Sequence, residues 1–342
     1  MKSNKYLFAA LMFAGLMSMT SCNNDESYDV MGNPDNLVYI NLAQPSPVNM
    51  PKNTYAYKLL QLPVGPILTT EPGEVKLYVQ CTKKPTSDIT VKFEMDPTVE
   101  VDGYDKFPAN SGFNASLTKN TVTIAAGTNH SDTVTVSIDA TNADWTKFDG
   151  TAYVLPIRIT DVTGGAVASV EQNFAYIGVN VEHKEGMLNT SATSATGTRI
   201  TDCSAWTGTY EVPNAGVSET ALNMSKLIDN NSRTYDYIVW NHADKVNEEV
   251  ITTIDMGSVK AITSCMYRYL GVYYTIKDGT LYTSTDGVNY TEQGTMTWES
   301  AGTTRYFAFW APIEARYIRL VAHSFYGGTG EGQVLSDINV YE

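Results

Sequence analysis

ARYIRLVAHSFYGGTGEGQVLSDINVYE, Ala315 to Glu342, is the stretch whose reading decides the fold. It reads as strand, loop, strand. Ile318, Leu320 and Ala322 alternate with Tyr317, Arg319 and Val321, the period-two pattern of a strand with two distinct faces. Phe325 and Tyr326 follow, and then Gly327, Gly328, Gly330 and Gly332. Glycines this dense do not continue a strand, so the two aromatics are expected at the mouth of a surface loop. Asp337-Ile338-Asn339-Val340-Tyr341 returns as the closing strand.

The same alternation runs back through the chain. Val75, Leu77, Val79 and Cys81 alternate with Lys76, Tyr78 and Gln80, and Ile89, Val91, Phe93 and Met95 with Thr90, Lys92 and Glu94. Lys83 to Asp88 between them is a turn by composition. Strands are also expected at Val122–Ile124, Val134–Ile138, Leu155–Ile159 and Ala175–Val181, with Pro156 arguing for an edge position or a bulge. Many short strands, frequent turns and no useful helical-period run give an all-β chain whose first half, 37–182, is an immunoglobulin-like β-sandwich. Residues 183–201 shift to Ser, Thr, Ala and Gly, a composition suited to a linker, and 202–342 form a second domain. There, Glu219 to Ile228 reads as a short helical turn. Strands are expected at Ile251–Met256, Leu281–Ser284, Arg305–Phe309 and Ala315–Ala322, and Asp286-Gly287 is a hairpin signal.

The chain has 342 residues, 43% of them hydrophobic, enough for two cored domains. Its net charge of −14 repels phosphate backbones and argues against nucleic acid. Residues 1–22 read as a lipoprotein signal peptide: Lys2 and Lys5 precede an apolar run from Tyr6 to Met17, too short to span a bilayer comfortably. Met19-Thr20-Ser21-Cys22 is similar to a lipoprotein cleavage box. Lipidation of Cys22 would anchor the chain to a membrane, with 23–36 as a polar, acidic tether. Cys81, Cys203 and Cys265 remain; Cys203 and Cys265 either pair or stay as buried thiols.

Two resemblances carry further expectations. Leu37-Val38-Tyr39-Ile40, Ser116 to Ile124 and Tyr153 to Ile159 resemble the domain of unknown function 1735. That domain stands at the N-terminus of surface lipoproteins of polysaccharide-utilising gut bacteria, and no catalytic residues come with it. Leu227 to Tyr235, Ile254 to Lys260, Tyr282 to Tyr290 and the closing stretch resemble, in order, the blocks of the coagulation factor 5/8 C-type (discoidin) domain, which includes the family 32 carbohydrate-binding modules. That resemblance implies a galactose-binding-like jelly-roll β-sandwich over 202–342.

The discoidin resemblance also implies a structural calcium site. Asp229 would supply a carboxylate, Asn231 its carbonyl, Thr234 its carbonyl and hydroxyl, and Asp337 a second carboxylate from the closing strand. Read from the residues alone, the same segment is a polar turn that satisfies itself. The resemblance further gathers three loops into a ligand site: Trp240, Asn241 and His242; Arg268, Tyr269, Tyr273 and Tyr274; and Phe325 and Tyr326. Aromatic faces stack on sugar rings, while His, Arg and Asn bond hydroxyls. No HExxH, GxSxG, phosphate-loop or dinucleotide motif occurs, and 4 His supply an acid–base cluster poorly. The expectation is a non-catalytic glycan-binding lipoprotein, lipid-anchored in the outer membrane and exposed at the cell surface, with partner lipoproteins or a transporter nearby. The alternative is an adhesin or scaffold binding host protein, mucin or a partner lipoprotein.

Overall fold

The computed structural model describes residues 35–42, 46–47, 49–69, 75–239, 249–327 and 332–342. Cys22 and the signal segment lie outside them.

Among the described residues the first half contributes twelve strands: β1 (Leu37–Leu42), β2 (Thr54–Leu62), β3 (Gly65–Leu68), β4 (Val75–Cys81), β5 (Ile89–Met95), β6 (Asp105–Lys106), β7 (Asn114–Leu117), β8 (Thr121–Ile124), β9 (Val134–Asp139), β10 (Ala152–Thr163), β11 (Val167–Ala168) and β12 (Phe174–His183). One sheet runs β11-β1-β4-β9-β7 and the other β3-β2-β12-β10-β5-β8, with β6 beside β10. The alternating apolar residues face each other between them. Val38, Leu77, Val79, Ile89, Val91, Ile157 and Ile177 are fully buried, because period-two patterning turns every second side chain of both sheets inward. Pro156 lies within β10, which is interior, not on an edge strand. Its missing N–H costs little because β5 pairing ends opposite Ile157, and the bulge falls between Ile159 and Asp161. β2 joins β12 in parallel, a departure from an all-antiparallel sandwich.

Among the described residues the second half contributes eight strands: β13 (Thr207–Val212), β14 (Val217–Ala221), β15 (Asp236–Val239), β16 (Val250–Tyr269), β17 (Ile276–Ser284), β18 (Thr291–Thr297), β19 (Thr304–Phe325) and β20 (Gly332–Tyr341). The one α-helix among the described residues is a single turn, Met224–Leu227, within the expected segment. β16 and β19 are much longer than their sequence blocks indicated. Each bends and serves both layers, and register shifts between Asp255 and Lys260 and between Ile262 and Ser264 mark the corners. The first layer is β14-β13-β16-β19-β17-β18; β20 pairs the far end of β16 and carries β15. Gly257, φ 78°, lets the corner close against Ala205, where a Cβ would sit 2.9 Å from another.

Residues 183–201 are strapped to the second sandwich. Backbone hydrogen bonds join Leu188 to Gln293 (3.0 Å), Asn189 to Ala308 (2.8 Å) and Ile200 to Val340 (2.9 Å). The Ser/Thr content serves this docking: the Thr196 N–H donates to Ser264 Oγ at 3.0 Å. Met187, Leu188 and Ile200 enter the second core, and Leu60 and Leu62 of β2 reach it from the first half. Cys81, Cys203 and Cys265 are all buried free thiols, so Cys203 and Cys265 do not pair.

Candidate ligand loops and cation site

Three described segments meet at the end of the second sandwich where β16, β18 and β19 end and β17 begins. The first, Gly271–Thr275, turns through a short 3-10 segment at Val272–Tyr274. It presents Tyr273, 70% exposed, between exposed Val272 and half-buried Tyr274. Tyr273 is the most exposed aromatic ring of the described residues, the position a ligand-stacking platform requires. The second segment follows β18 and carries Trp298. The third carries Tyr326, whose hydroxyl donates to the Trp298 carbonyl and whose N–H donates to Thr275 O at 3.0 Å.

Arg305 holds the three together. It is 4% exposed, yet no carboxylate pairs with it among the described residues. Its Nε donates to Ile276 O at 3.0 Å and an Nη to Ser300 O at 3.2 Å. The guanidinium lies 4.9 Å from the Trp298 ring centroid and 5.3 Å from that of Tyr326, so two aromatic faces do what a counter-ion would. Burial lowers its proton affinity, and the neighbouring Tyr326 and Tyr269 hydroxyls oppose that shift. Sequence reasoning missed this residue. The signal was present: Arg305 shares phase with Phe307 and Phe309, putting a cation on the inward face of an apolar strand.

The expected ligand residues divide. Tyr273, Tyr274 and Tyr326 come together at this end. Tyr269 is 2% exposed and Phe325 7%, so both are core residues, not platforms. Tyr269 shares the inward phase of Tyr267 near the end of β16, and burial pushes its hydroxyl pKa up. Phe325 pairs with Ile276, where register shifts in β17 turn the last residue of β19 inward. Arg268 turns to the cation site instead: it is the cross-strand neighbour of Asp337, with Nη1 3.4 Å from Oδ2. Trp240, Asn241 and His242 lie outside the described residues.

Of the expected cation ligands, Asp229, Asn231 and Thr234 bond one another, and Asp229 acts on Asp337 through its charge. Asn230 adopts φ 57°, the left-handed conformation that the tight turn after Asp229 demands. Asp229 accepts from the Asn231 N–H (2.9 Å) and the Thr234 hydroxyl (2.7 Å), and Asn231 O accepts from Thr234 Oγ1 (2.7 Å). The loop therefore also satisfies itself as an Asx-type turn. Asp337 is different. It is fully buried, and its Oδ1 has no hydrogen-bond partner. Burial raises its pKa; Arg268, Asn339 and Arg199 oppose the rise, and Asp229 adds to it. Two carboxylates that sense each other, one with an orphaned buried oxygen, beside a loop of carbonyl and hydroxyl oxygens, fit a hard oxygen-seeking cation. Among the described residues no three His, Cys, Asp or Glu side chains cluster, so backbone oxygens would complete such a site.

Comparison with known proteins gives the second half its place. Residues 200–335 match the F5/8 type C domain. In both fold and family model, the C-terminal sandwich is discoidin-like. Residues 34–166 match a second family model, described as an N-terminal domain. Solved structures match at low identity and low TM-score. A two-domain protein of unknown function from Bacteroides fragilis is 15% identical, covering 90% of this chain and 95% of that one, with TM-score 0.38. The family 32 carbohydrate-binding module of Clostridium perfringens NanJ, solved with galactose, is 24% identical, covering 42% of this chain and 98% of that one, with TM-score 0.34. Another C. perfringens module, solved with GalNAc-β-1,3-galactose, is 21% identical over 41% of this chain and 96% of that one, with TM-score 0.33. A search of curated proteins found no match.

Proposed function

We propose that this protein is a non-catalytic glycan-capturing lipoprotein, anchored through Cys22 in the outer membrane and exposed at the cell surface. The discoidin-like sandwich would take the sugar at its loop end. The observation that carries the reading is the exposed ring of Tyr273, set beside Tyr274 and Tyr326 on loops clamped by Arg305. A stacking ring held on a rigid frame loses little entropy when a sugar docks. The F5/8 type C match supports the same class, and the first sandwich, similar to the domain of unknown function 1735, would serve as a spacer. Calcium would be held by Asp229, Asn231, Thr234 and Asp337, tying the loop after Leu227 to the closing strand. It would stabilise the fold without touching the sugar.

One feature favours the adhesin reading. Leu270, Val272 and Tyr273 form an exposed apolar tip that also suits a protein surface. A glycan array probed with the purified chain and with Tyr273→Ala separates the two. Glycan signal lost in the variant supports capture of sugar. A blank array alongside mucin or protein binding lost in the variant supports the adhesin.

A further inference from the structure

The outer face of the first layer of the second sandwich holds a cleft of about 370 Å3, within the size range of small-ligand sites. Arg319 and Phe325 are six residues apart along β19, so the cleft lies roughly 20 Å from the loop end at ~3.3 Å per residue. Two transverse rows floor it: Thr209, Thr253 and Arg319, and Thr207, Asp255 and Tyr317, each lined up across β13, β16 and β19. The β13–β14 hairpin, carrying Glu211 and Glu219, walls one side, and the turn bearing Gly287 and Tyr290 walls the other.

The face is built, not merely solvated. Arg316 is spent: two 2.8 Å bonds tie it to Asp255, and it lies 4.9 Å from the Tyr317 ring centroid. Gly287 presses on that ring so closely that a Cβ would meet Cζ at 2.9 Å. Arg319 is fixed 3.7 Å from the Tyr290 ring centroid, and its Nε donates to Thr253 Oγ1 at 3.2 Å. No carboxylate pairs with Arg319 among the described residues; besides Thr253 its side chain bonds Tyr290, so its charge faces the cleft without a counter-ion. Among the described residues, Glu211 and Glu219 have no ion pair either, and the Thr207 and Thr209 hydroxyls have no hydrogen-bond partner.

We infer that this cleft is a second carbohydrate site, one that takes a neutral oligosaccharide lying across the strands. It goes beyond the loop-end reading and shares no residue with it. The chemistry selects the class. Tyr290 and Tyr317 are held in place by their guanidinium partners, and Tyr317 also by Gly287, so they line the cleft as fixed aromatic surface. Free donors and acceptors stand beside them, as a polyhydroxylated ligand needs and an apolar one does not. Two free carboxylates against one free guanidinium disfavour uronic or sulfated chains. An extended peptide gains little here, because a sheet face has no unpaired backbone to offer.

Hydroxyl-radical footprinting of the full chain with neutral β-glucan, mannan and galactan fragments, and with hyaluronate fragments as the acidic comparison, tests this directly. A neutral fragment should protect Tyr290 and Tyr317 severalfold from oxidation. Thr209→Trp, which fills the cleft from β13, should abolish that protection. Glu219→Ala, an exposed change that leaves packing intact, should weaken it. Protection confined to Tyr273 and Tyr274 would overturn the cleft and leave the loop-end reading standing. Protection of Tyr290 by hyaluronate alone would overturn the assignment of a neutral ligand. Binding without protection of either set would overturn both readings.

Discussion

Asp337→Asn is the sharpest perturbation of the proposed cation site. The substitution keeps shape and removes charge. In chelator, the wild-type carboxylate is fully buried with one orphaned oxygen, and its compensation is thin: Arg268 at 3.4 Å and Asn339 Nδ2 at 3.2 Å. Burying a charge costs several kcal/mol and a guanidinium at that distance recovers part of it, so the net change on neutralisation should stay within about 1 kcal/mol. Calcium reverses the balance. A cation binding only the folded state adds about 2.7 kcal/mol at ~100 Kd. For a domain of this size that is roughly 5–10 °C in Tm. Differential scanning calorimetry of the full chain, in calcium and in chelator, should show that shift for the second-domain transition in the wild type. It should be nearly absent in Asp337→Asn, and the two proteins should melt close together in chelator. If the variant were equally destabilised in both buffers, or the wild type indifferent to calcium, Asp337 would be an ordinary buried acid and the Asp229 loop an ordinary polar turn.

Arg305→Met should leave stability within about 1–2 kcal/mol, because an apolar stem replaces a costly buried charge, while Arg305→Ala should cost about 3 kcal/mol or more; urea denaturation separates them, and glycan affinity should fall in both because the loops lose their clamp. A fragment beginning at residue 202 lacks Met187, Leu188 and Ile200 from its core, so it should be less stable than one beginning at 184 by about 5–9 kcal/mol at ~1.5–3 kcal/mol per buried side chain, read by the same denaturation. The Asp255 carboxylate is held below the usual range, chiefly by its bonds to Arg316. Its stabilisation is present above the unfolded carboxylate pKa and lost as pH falls through the lower folded value, so a melting profile taken below about pH 4 should flatten in Asp255→Asn. Cys22→Ala should move the protein out of the membrane fraction and end labelled-palmitate uptake; a variant that still pellets and labels would refute the anchor.

The two sandwiches were legible because period-two alternation reports directly which strand face is buried, as Val75 to Cys81 and Ile318 to Ala322 illustrate. Strand length was not. β16 was expected only over Ile251–Met256 and β19 as two pieces, Arg305–Phe309 and Ala315–Ala322, because the corners at Met256–Lys260 and Phe309–Pro312 break the alternation while the backbone continues. The strap at 183–201 read as a linker because its hydroxyls bond across distant strands, a use that composition cannot show. In the loops, the aromatics of the sequence set divided by phase. Tyr273 is free because it follows Gly271 in a turn, whereas Tyr269 and Phe325 sit at strand ends where the sheet decides which way they face. Arg305 went unread because its aromatic partners, Trp298 and Tyr326, are brought to it only by the fold. The outer face with Arg319 on Tyr290 was hidden for the same reason: its lining residues come from four strands and the turn after β17.

The central claim is that the loop end around Tyr273 holds a sugar. Calorimetric titration of the full chain and of Tyr273→Ala, with the strongest neutral glycan from an array, tests it most directly. The account predicts saturable binding to the wild type and a loss of about tenfold or more in the variant, the ~1.4 kcal/mol expected from removing one aromatic platform. Equal affinity in the two proteins would contradict it.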